Sequence, residues 1–337
     1  MISRRDALAL GCCSLASVVL TTRRVVAQPK YPERPIRLVI PFVPGGVTDT
    51  VARQWAQAMK ALLGPVVIEN QGGGGGSIGA AAVARAAADG YSILLGSAPS
   101  LVVNPIAGQT RYEPKDFAPI SILGVVPVAF VVHPALPARN LNELAAYARA
   151  NPGKLSYGTP GAGTMGHLGG ELFKSLTGTN DIVHVPYKGA GPALSDLVGG
   201  QISLALLSVN GQILELHQSG KVRMLAVAAA ARSVSAPDIP TVVEQEFPRL
   251  VTHNFYGLFA PAGTPPAIIE QISNATRTAM ADVKFREQLI ASGFEPYLDS
   301  SSDAARRFVE NEIERWRPVI VATGLKLGMR SGGSQKA

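Results

Sequence analysis

Residues 38–53 read Leu38-Val39-Ile40-Pro41-Phe42-Val43-Pro44-Gly45-Gly46-Val47-Thr48-Asp49-Thr50-Val51-Ala52-Arg53. A short apolar run stops at Pro41, turns at Pro44-Gly45-Gly46 and enters a helical pattern. Val51, Trp55, Met59 and Leu62 follow at spacings of four, four and three, which puts one apolar stripe on a helix. Thr48 is the expected N-cap, and Asp49 suits the first turn. Strand, glycine turn and helix start together aim backbone N–H groups and the positive end of a helix dipole at one point. Such a point suits a carboxylate or a phosphate.

The alternation continues along the chain. Strands are predicted at 36–40, 66–69, 92–96, 120–123, 128–132, 155–157, 182–185, 203–207, 222–227 and 256–260. Helices are predicted at 48–63, 79–88, 141–150, 165–176, 190–198, 209–217, 265–282 and 302–316. Strands alternating with helices indicate an α/β protein whose mainly parallel sheets are flanked by helices. So many units exceed one comfortable sheet. Two apolar, extended segments, 124–134 and 255–263, contain prolines at their ends and read as crossings between domains. The expectation is a two-lobed molecule: lobe I from 31–126 and 255–329, lobe II from 127–254, joined by two crossing strands that act as a hinge. The polar tail 330–337 is expected to be disordered.

The chain has 337 residues, enough for two ordinary domains, and is rich in Gly and Pro with few aromatics. Arg4 and Arg5 precede an apolar run from Ala7 to Leu20, and Val25-Val26-Ala27 offers small residues for cleavage before Gln28. Residues 1–27 therefore read as a signal peptide and the mature protein as periplasmic. Ser3-Arg4-Arg5 is twin-arginine-like without the full motif, so the export route stays open. Cys12 and Cys13 both lie in this segment, and Leu10-Gly11-Cys12 is a weak lipidation signal. Cleavage after Ala27 leaves no cysteine, hence no disulfide, thiol nucleophile or zinc–thiolate site. The formal charge is +7. Residues 1–27 hold four Arg and one Asp, so the mature chain is near +4. No Lys/Arg cluster with interleaved aromatics suggests nucleic acid. No internal apolar stretch reaches the length of a bilayer span.

Two glycine motifs invite an enzyme reading. Gly74, Gly76 and Gly79 satisfy G-x-G-x-x-G, and so do Gly161, Gly163 and Gly166. Neither is followed by an acid at the end of the next strand, which argues against a dinucleotide. Gly75-Gly76-Ser77-Ile78-Gly79 also fits the G-x-S-x-G turn of serine hydrolases. The glycine run is expected to be floppy, unlike a strained nucleophile turn. None of His133, His167, His184, His217 and His253 has a distinctive setting. Thr159-Pro160-Gly161-Ala162-Gly163-Thr164 has a stronger claim: it joins a strand to a helix and forms a second neutral anion nest, in the other lobe. His167, just beyond it, is expected to brace this loop. Tyr187 can hydrogen-bond a ligand or cover its apolar part, and Lys188 more often points to solvent.

Pro41-Phe42-Val43-Pro44-Gly45-Gly46-Val47-Thr48-Asp49 with Ala52-Arg53 resembles the opening motif of the Bug family, the substrate-binding proteins of tripartite tricarboxylate transporters. The resemblance continues through Asn70-Gln71-Gly72-Gly73, Ala88-Asp89-Gly90-Tyr91, Ser156–Gly161, Val185–Gly189 and Gly257–Pro265, and covers nearly all of 31–325. It implies a two-lobed periplasmic-binding-protein architecture that closes on a small carboxylated solute. It also implies permease subunits as partners. One departure is Ser203, where the family usually has an acid; Ser208-Val209-Asn210-Gly211 also differs.

The expected activity is binding without catalysis, with no cofactor and no metal, by a monomer. Gly45, Gly46, Val47, Thr48 and Asp49 form the first cradle. Ser97 and Ala98 line the wall of that lobe. Thr159, Gly161, Gly163 and Thr164 complete the anion site, and Tyr187 and Asn210 read the rest of the solute. Two alternatives stay open: an exported serine hydrolase using Ser77, and a solute sensor that docks on a signalling partner.

Overall fold

The structure, a computed structural model, describes residues 31–108 and 110–324. The expected signal peptide 1–27 and tail 330–337 lie outside the described residues. The first strand, β1 (Ile36–Ile40), pairs in parallel with β2 (Val66–Asn70) and β3 (Ser92–Ser97). Helix α1 (Val47–Leu62) connects β1 to β2, and α2 (Ser77–Ala84) connects β2 to β3. A helical stretch ending in α3 (Asn104–Ile106) leads to β4 (Phe117–Val132). Next come α4 (Leu141–Ala150), β5 (Ser156–Thr159), α5 (Met165–Thr177), β6 (Val183–Pro186), α6 (Ala190–Val198), β7 (Leu204–Ser208), α7 (Gly211–Gln218) and β8 (Arg223–Val227). The chain then returns through β9 (His253–Pro261) and closes with α8 (Pro266–Ala281), α9 (Val283–Ala291), β10 (Glu295–Pro296) and α10 (Ser302–Ala322).

The strand order is β2-β1-β3-β9-β4-β7-β5-β6, with β8 and β10 also paired to β4. Pairing is parallel among β1–β3 and among β5–β7, but β9 and β4 run antiparallel to their neighbours, so the sheet is mixed. Two strands expected at 120–123 and 128–132 are one continuous strand of 16 residues. Register shifts at Pro119/Ser121 and Ile122/Gly124 bend it. Pro127 is tolerated because its carbonyl still accepts from Val209 N–H at 3.0 Å, where β7 takes over as neighbour. Because β4 serves both halves of the sheet, the described residues from Arg34 onward form one compact unit.

The helices pack by the stripes that the sequence shows. Val51, Trp55 and Met59 of α1 are fully buried, and Trp55 Nε1 donates to Thr276 Oγ1 of α8 at 3.1 Å. Leu62, at the end of the same stripe, is 41% exposed. The α1 N-cap is Gly46 rather than Thr48, so the helix starts one residue earlier than predicted. α10 runs through Pro318 to Ala322, beyond the predicted stop at Trp316. The last glycine of each G-x-G-x-x-G match has a packing role. A Cβ on Gly79 would lie 2.9 Å from Gln71 O, and one on Gly166 would lie 2.3 Å from Leu206 O. Gly79 lets α2 lie close against the backbone just beyond β1 and β2, and Gly166 lets α5 start close against β7.

Candidate functional site

Strand registers set the levels at which the strands end. Ser97, the last residue of β3, pairs with Tyr256 of β9, which pairs with Gly124 of β4. Ser208, the last residue of β7, pairs with Val128 of β4. β3 runs in the direction of β4 and β7 runs against it, so the two sets of strands point their carboxyl ends toward one another. Four residues of β4 separate those levels, about 13 Å at strand rise. In open α/β sheets, ligands bind beyond the carboxyl ends of strands. Here α1, α5 and α7 all begin on these ends.

The first cradle follows β1. Gly45 and Gly46 are exposed, and Thr48 and Asp49 are buried. No side chain caps α1, which keeps its first-turn N–H groups available to a ligand. Asp49 is fully engaged: it accepts from Arg53 Nε (2.9 Å) and Nη2 (3.1 Å), Asn70 Nδ2 (3.1 Å) and Gly45 N–H (3.2 Å). The Arg53 guanidinium, followed by Asn70 and Gly45, holds its carboxyl below the ordinary carboxylate value against the opposing effect of burial. Thr48 lies beside the phenol of buried Tyr256, and burial raises that phenol to about 12. Ser97 is 2% exposed and its hydroxyl has no partner, whereas its backbone is tied to Ser100. Ala98 beside it is fully buried.

The second cradle follows β5. Thr164 caps α5 by accepting from His167 N–H at 3.4 Å. Gly161 N–H donates to Thr159 Oγ1 at 3.3 Å, and Gly163 N–H donates to His167 Nδ1 at 3.2 Å. This loop is therefore largely bonded to itself, unlike the first. His167 braces it as the sequence suggested, and His184, which the sequence reading passed over, braces it too. Tyr187 is fixed from two sides: its N–H donates to Thr159 O at 3.0 Å and its hydroxyl donates to Asp196 Oδ2 at 2.7 Å. Burial, then Asp196, raises that phenol to about 12. Asn210 caps α7 through Ile213 N–H, and Asn254 of β9 donates to Ser208 Oγ at 3.1 Å. Register, nearness and hydrogen bonds thus bring together Ser97, Tyr256 and Thr48 in one group, Thr159–Thr164 with Tyr187 in a second, and Asn210 with Ser208 and Asn254 in a third. Tyr256 was legible only as part of an apolar crossing strand, and Asn254 only as the last residue of the expected lobe II.

The glycine run is tied rather than floppy: Asn104 Nδ2 donates to Gly74 O (3.2 Å) and Gly75 O (2.9 Å). Each of the five histidines makes contacts that do not involve Ser77. His133 Nδ1 accepts from Ala135 N–H, His217 Nδ1 accepts from Met224 N–H, His253 faces Glu312, and His167 and His184 serve the second loop. A cavity of about 510 Å³ lies between α5 and the end of α10, near Glu171, Arg315 and Val319, rather than at the strand ends. At the strand ends, the α1 start has no side-chain cap and the Ser97 hydroxyl has no partner. Among the described residues, no helix is long and apolar enough to cross a membrane.

This is the fold of the periplasmic solute-binding proteins, and residues 51–325 match the sequence profile of the tripartite tricarboxylate transporter family receptor. The chain belongs to that family. It is 38% identical over 306 residues to protein BugT of Bordetella pertussis, covering 90% of this chain and 93% of that one. Among solved structures, the R. palustris protein Rpa4515 with adipate superposes with a TM-score of 0.77 at 34% identity, covering 88% of this chain and 99% of the other. MatC from Rhodopseudomonas palustris with bound malate superposes with a TM-score of 0.75 at 31% identity, covering 86% and 100%.

Proposed function

We propose that this protein is a periplasmic receptor that captures a small organic dicarboxylate between two lobes, 31–126 with 255–329 and 127–254, and delivers it to permease subunits of a tripartite tricarboxylate-type transporter. The observation that carries the reading is the uncapped start of α1 at Gly46–Thr48, set where the carboxyl ends of both strand sets converge. One solute carboxylate lies on those N–H groups, with the Ser97 hydroxyl beside it. The loop Thr159–Thr164, Tyr187 and Asn210 meet the rest of the molecule. Adipate and malate in two relatives support the solute class. Asp49 is spent on Arg53, Asn70 and Gly45, which favours an acid without an ammonium group over an amino acid. Neutral donors suit capture followed by release, since no buried charge has to be stripped of its partner when solute leaves.

A thermal-shift and calorimetric screen of the protein against malate, adipate, citrate, glutamate and benzoate tests this. Malate or adipate at 100 times its Kd adds about 2.7 kcal/mol of stability, and glutamate at the same concentration adds less. No response to any acid by a folded protein would remove the reading.

A further inference from the structure

Beneath the second loop stands a column of three rings. Tyr157 of β5 stacks on His184 of β6 with centroids 4.8 Å apart, and His184 stacks on His167 of α5 at 4.0 Å and 13°. Both imidazoles reach the loop. Gly163 N–H donates to His167 Nδ1 at 3.2 Å, and Thr159 Oγ1 lies 2.8 Å from His184 Nε2. The first bond fixes a protonation state: Nδ1 accepts only when it carries no proton. A proton there would set two donors against each other. Two charged imidazoles face to face at 4.0 Å would also repel.

The surrounding charges act in both senses: Glu171 favours a proton on either ring and Lys174 opposes it, and burial outweighs both. Glu171 is the nearby acid, and it is already shared: it accepts from Tyr157 OH at 2.6 Å and from Lys174 Nζ at 2.9 Å. Lys174 opposes any imidazolium. Burial lowers His167, and burial followed by the nearness of His167 lowers His184 to about 4.

We propose that His167 and His184 are a positioning pair which holds the Thr159–Thr164 loop in shape only while both rings are neutral, so that the loop is released, and the solute with it, when the pair takes up a proton. The clause about solute rests on the function proposed above; the clause about the loop does not.

The test reads the two clauses separately. Amide exchange at Gly163 is followed by NMR in the ligand-free protein at pH 7.5 and pH 4.0, corrected for intrinsic exchange. Wild type is compared with His167→Phe and with the double variant His167→Asn, His184→Gln. The amides of the double variant place hydrogen-bonding atoms near Nδ1 and Nε2 and do not titrate. Gly163 in wild type should lose protection at pH 4.0 by about ten-fold or more, the equivalent of one hydrogen bond. His167→Phe should be unprotected at both pH values and the double variant protected at both. Equal protection of wild type at the two pH values, or a pH response kept by the double variant, overturns the inference. Adipate and malate affinities are then measured at both pH values as the ratio of wild type to double variant, which cancels protonation of the acid itself. A ratio that falls at pH 4.0 supports the solute clause, and a constant ratio overturns it. If neither acid binds at either pH while Gly163 behaves as expected, the positioning role stands and the proposed function falls.

Discussion

Arg53 grips Asp49 through both carboxylate oxygens, Nε to Oδ2 at 2.9 Å and Nη2 to Oδ1 at 3.1 Å. The two are one helical turn apart, and the same carboxylate takes the Gly45 N–H and the Asn70 amide. A residue inside α1 therefore fixes the turn that precedes α1. Its charge is spent on that task, although it lies next to the proposed anion site.

Asp49→Asn should accordingly destabilise the protein by about 2 kcal/mol at pH 7, the worth of hydrogen bonds to a buried charge. Arg53, Asn70 and Gly45 hold the Asp49 carboxyl of the folded protein below the ordinary aspartate value. Its contribution is therefore complete above about pH 5 and is lost as pH falls through the folded value. Denaturant titrations should show the gap between wild type and variant closing below pH 4. Equal stability at pH 7 would mean that the brace has no energetic weight.

Val47 is the first helical residue of α1, and Gly46 before it is extended (φ −85°, ψ 174°). Both features suit proline at Val47. Val47→Pro deletes one N–H from the first cradle while leaving the helix intact. Affinity for a bound dicarboxylate should fall about ten-fold or more, as expected for a lost hydrogen bond to a charged group. Thermal stability without ligand should change little. Calorimetry and circular dichroism on the same sample separate the two effects. Unaltered affinity in a folded variant would place the carboxylate elsewhere.

The legible and illegible parts of this chain divide by range. β1, the Gly45-Gly46 turn and α1 follow from an apolar run, a turn signal and a 3.6-residue stripe, all local. Thr48 misleads because the helix already begins at Val47 with the bare Gly46 as its cap, while Thr48 lies beside Tyr256, more than two hundred residues away. β4 is only partly legible: 120–123 and 128–132 read as strands and 124–134 as an extended crossing, and nothing local joins them into one strand. Partners on both edges, β9 and β10 and then β7 and β8, hold it extended. α9 escapes because Asp282 ends α8 and caps α9 at once, through Lys284 N–H at 2.7 Å, leaving no gap to notice. His184 looks like one polar residue of an alternating strand, and only the stacking of β6 under α5 reveals its role.

Acid should weaken the fold through buried histidines before it reaches the carboxylates. Burial, with Arg315 adding to it, lowers His253 to about 4, and His184 is lowered to the same level. Each prefers the neutral ring when folded, so its contribution is whole above about pH 6.5 and is lost as pH falls toward 4. For His253 alone the loss by pH 4.5 is on the order of 2 kcal/mol. Glu295 and Glu312, both raised by burial, act in the opposite sense and gain as pH falls. Urea midpoints at pH 7.5, 6.5, 5.5 and 4.5 should be flat over the first interval and then decline. His253→Phe should decline less than wild type; an equal decline would move the acid sensitivity to other groups.

One substitution at two glycines should give opposite signs. A Cβ on Gly166 would lie 2.3 Å from the Leu206 carbonyl oxygen, a backbone atom of β7 that cannot swing aside. Gly166→Ala must push the start of α5 off the sheet, at a cost of roughly 1–3 kcal/mol, as for an overpacked core. Gly191, in the first turn of α6, is exposed and has nothing within 4 Å of the added carbon. There alanine meets no clash and has the better helix propensity, so Gly191→Ala should stabilise by up to about 1 kcal/mol. Because α5 carries the Thr164 cap and the His167 brace, Gly166→Ala should also weaken solute binding, whereas Gly191→Ala should leave it alone. Melting curves with and without a bound dicarboxylate decide the matter, and a neutral Gly166→Ala would show that α5 can lift from β7 without consequence.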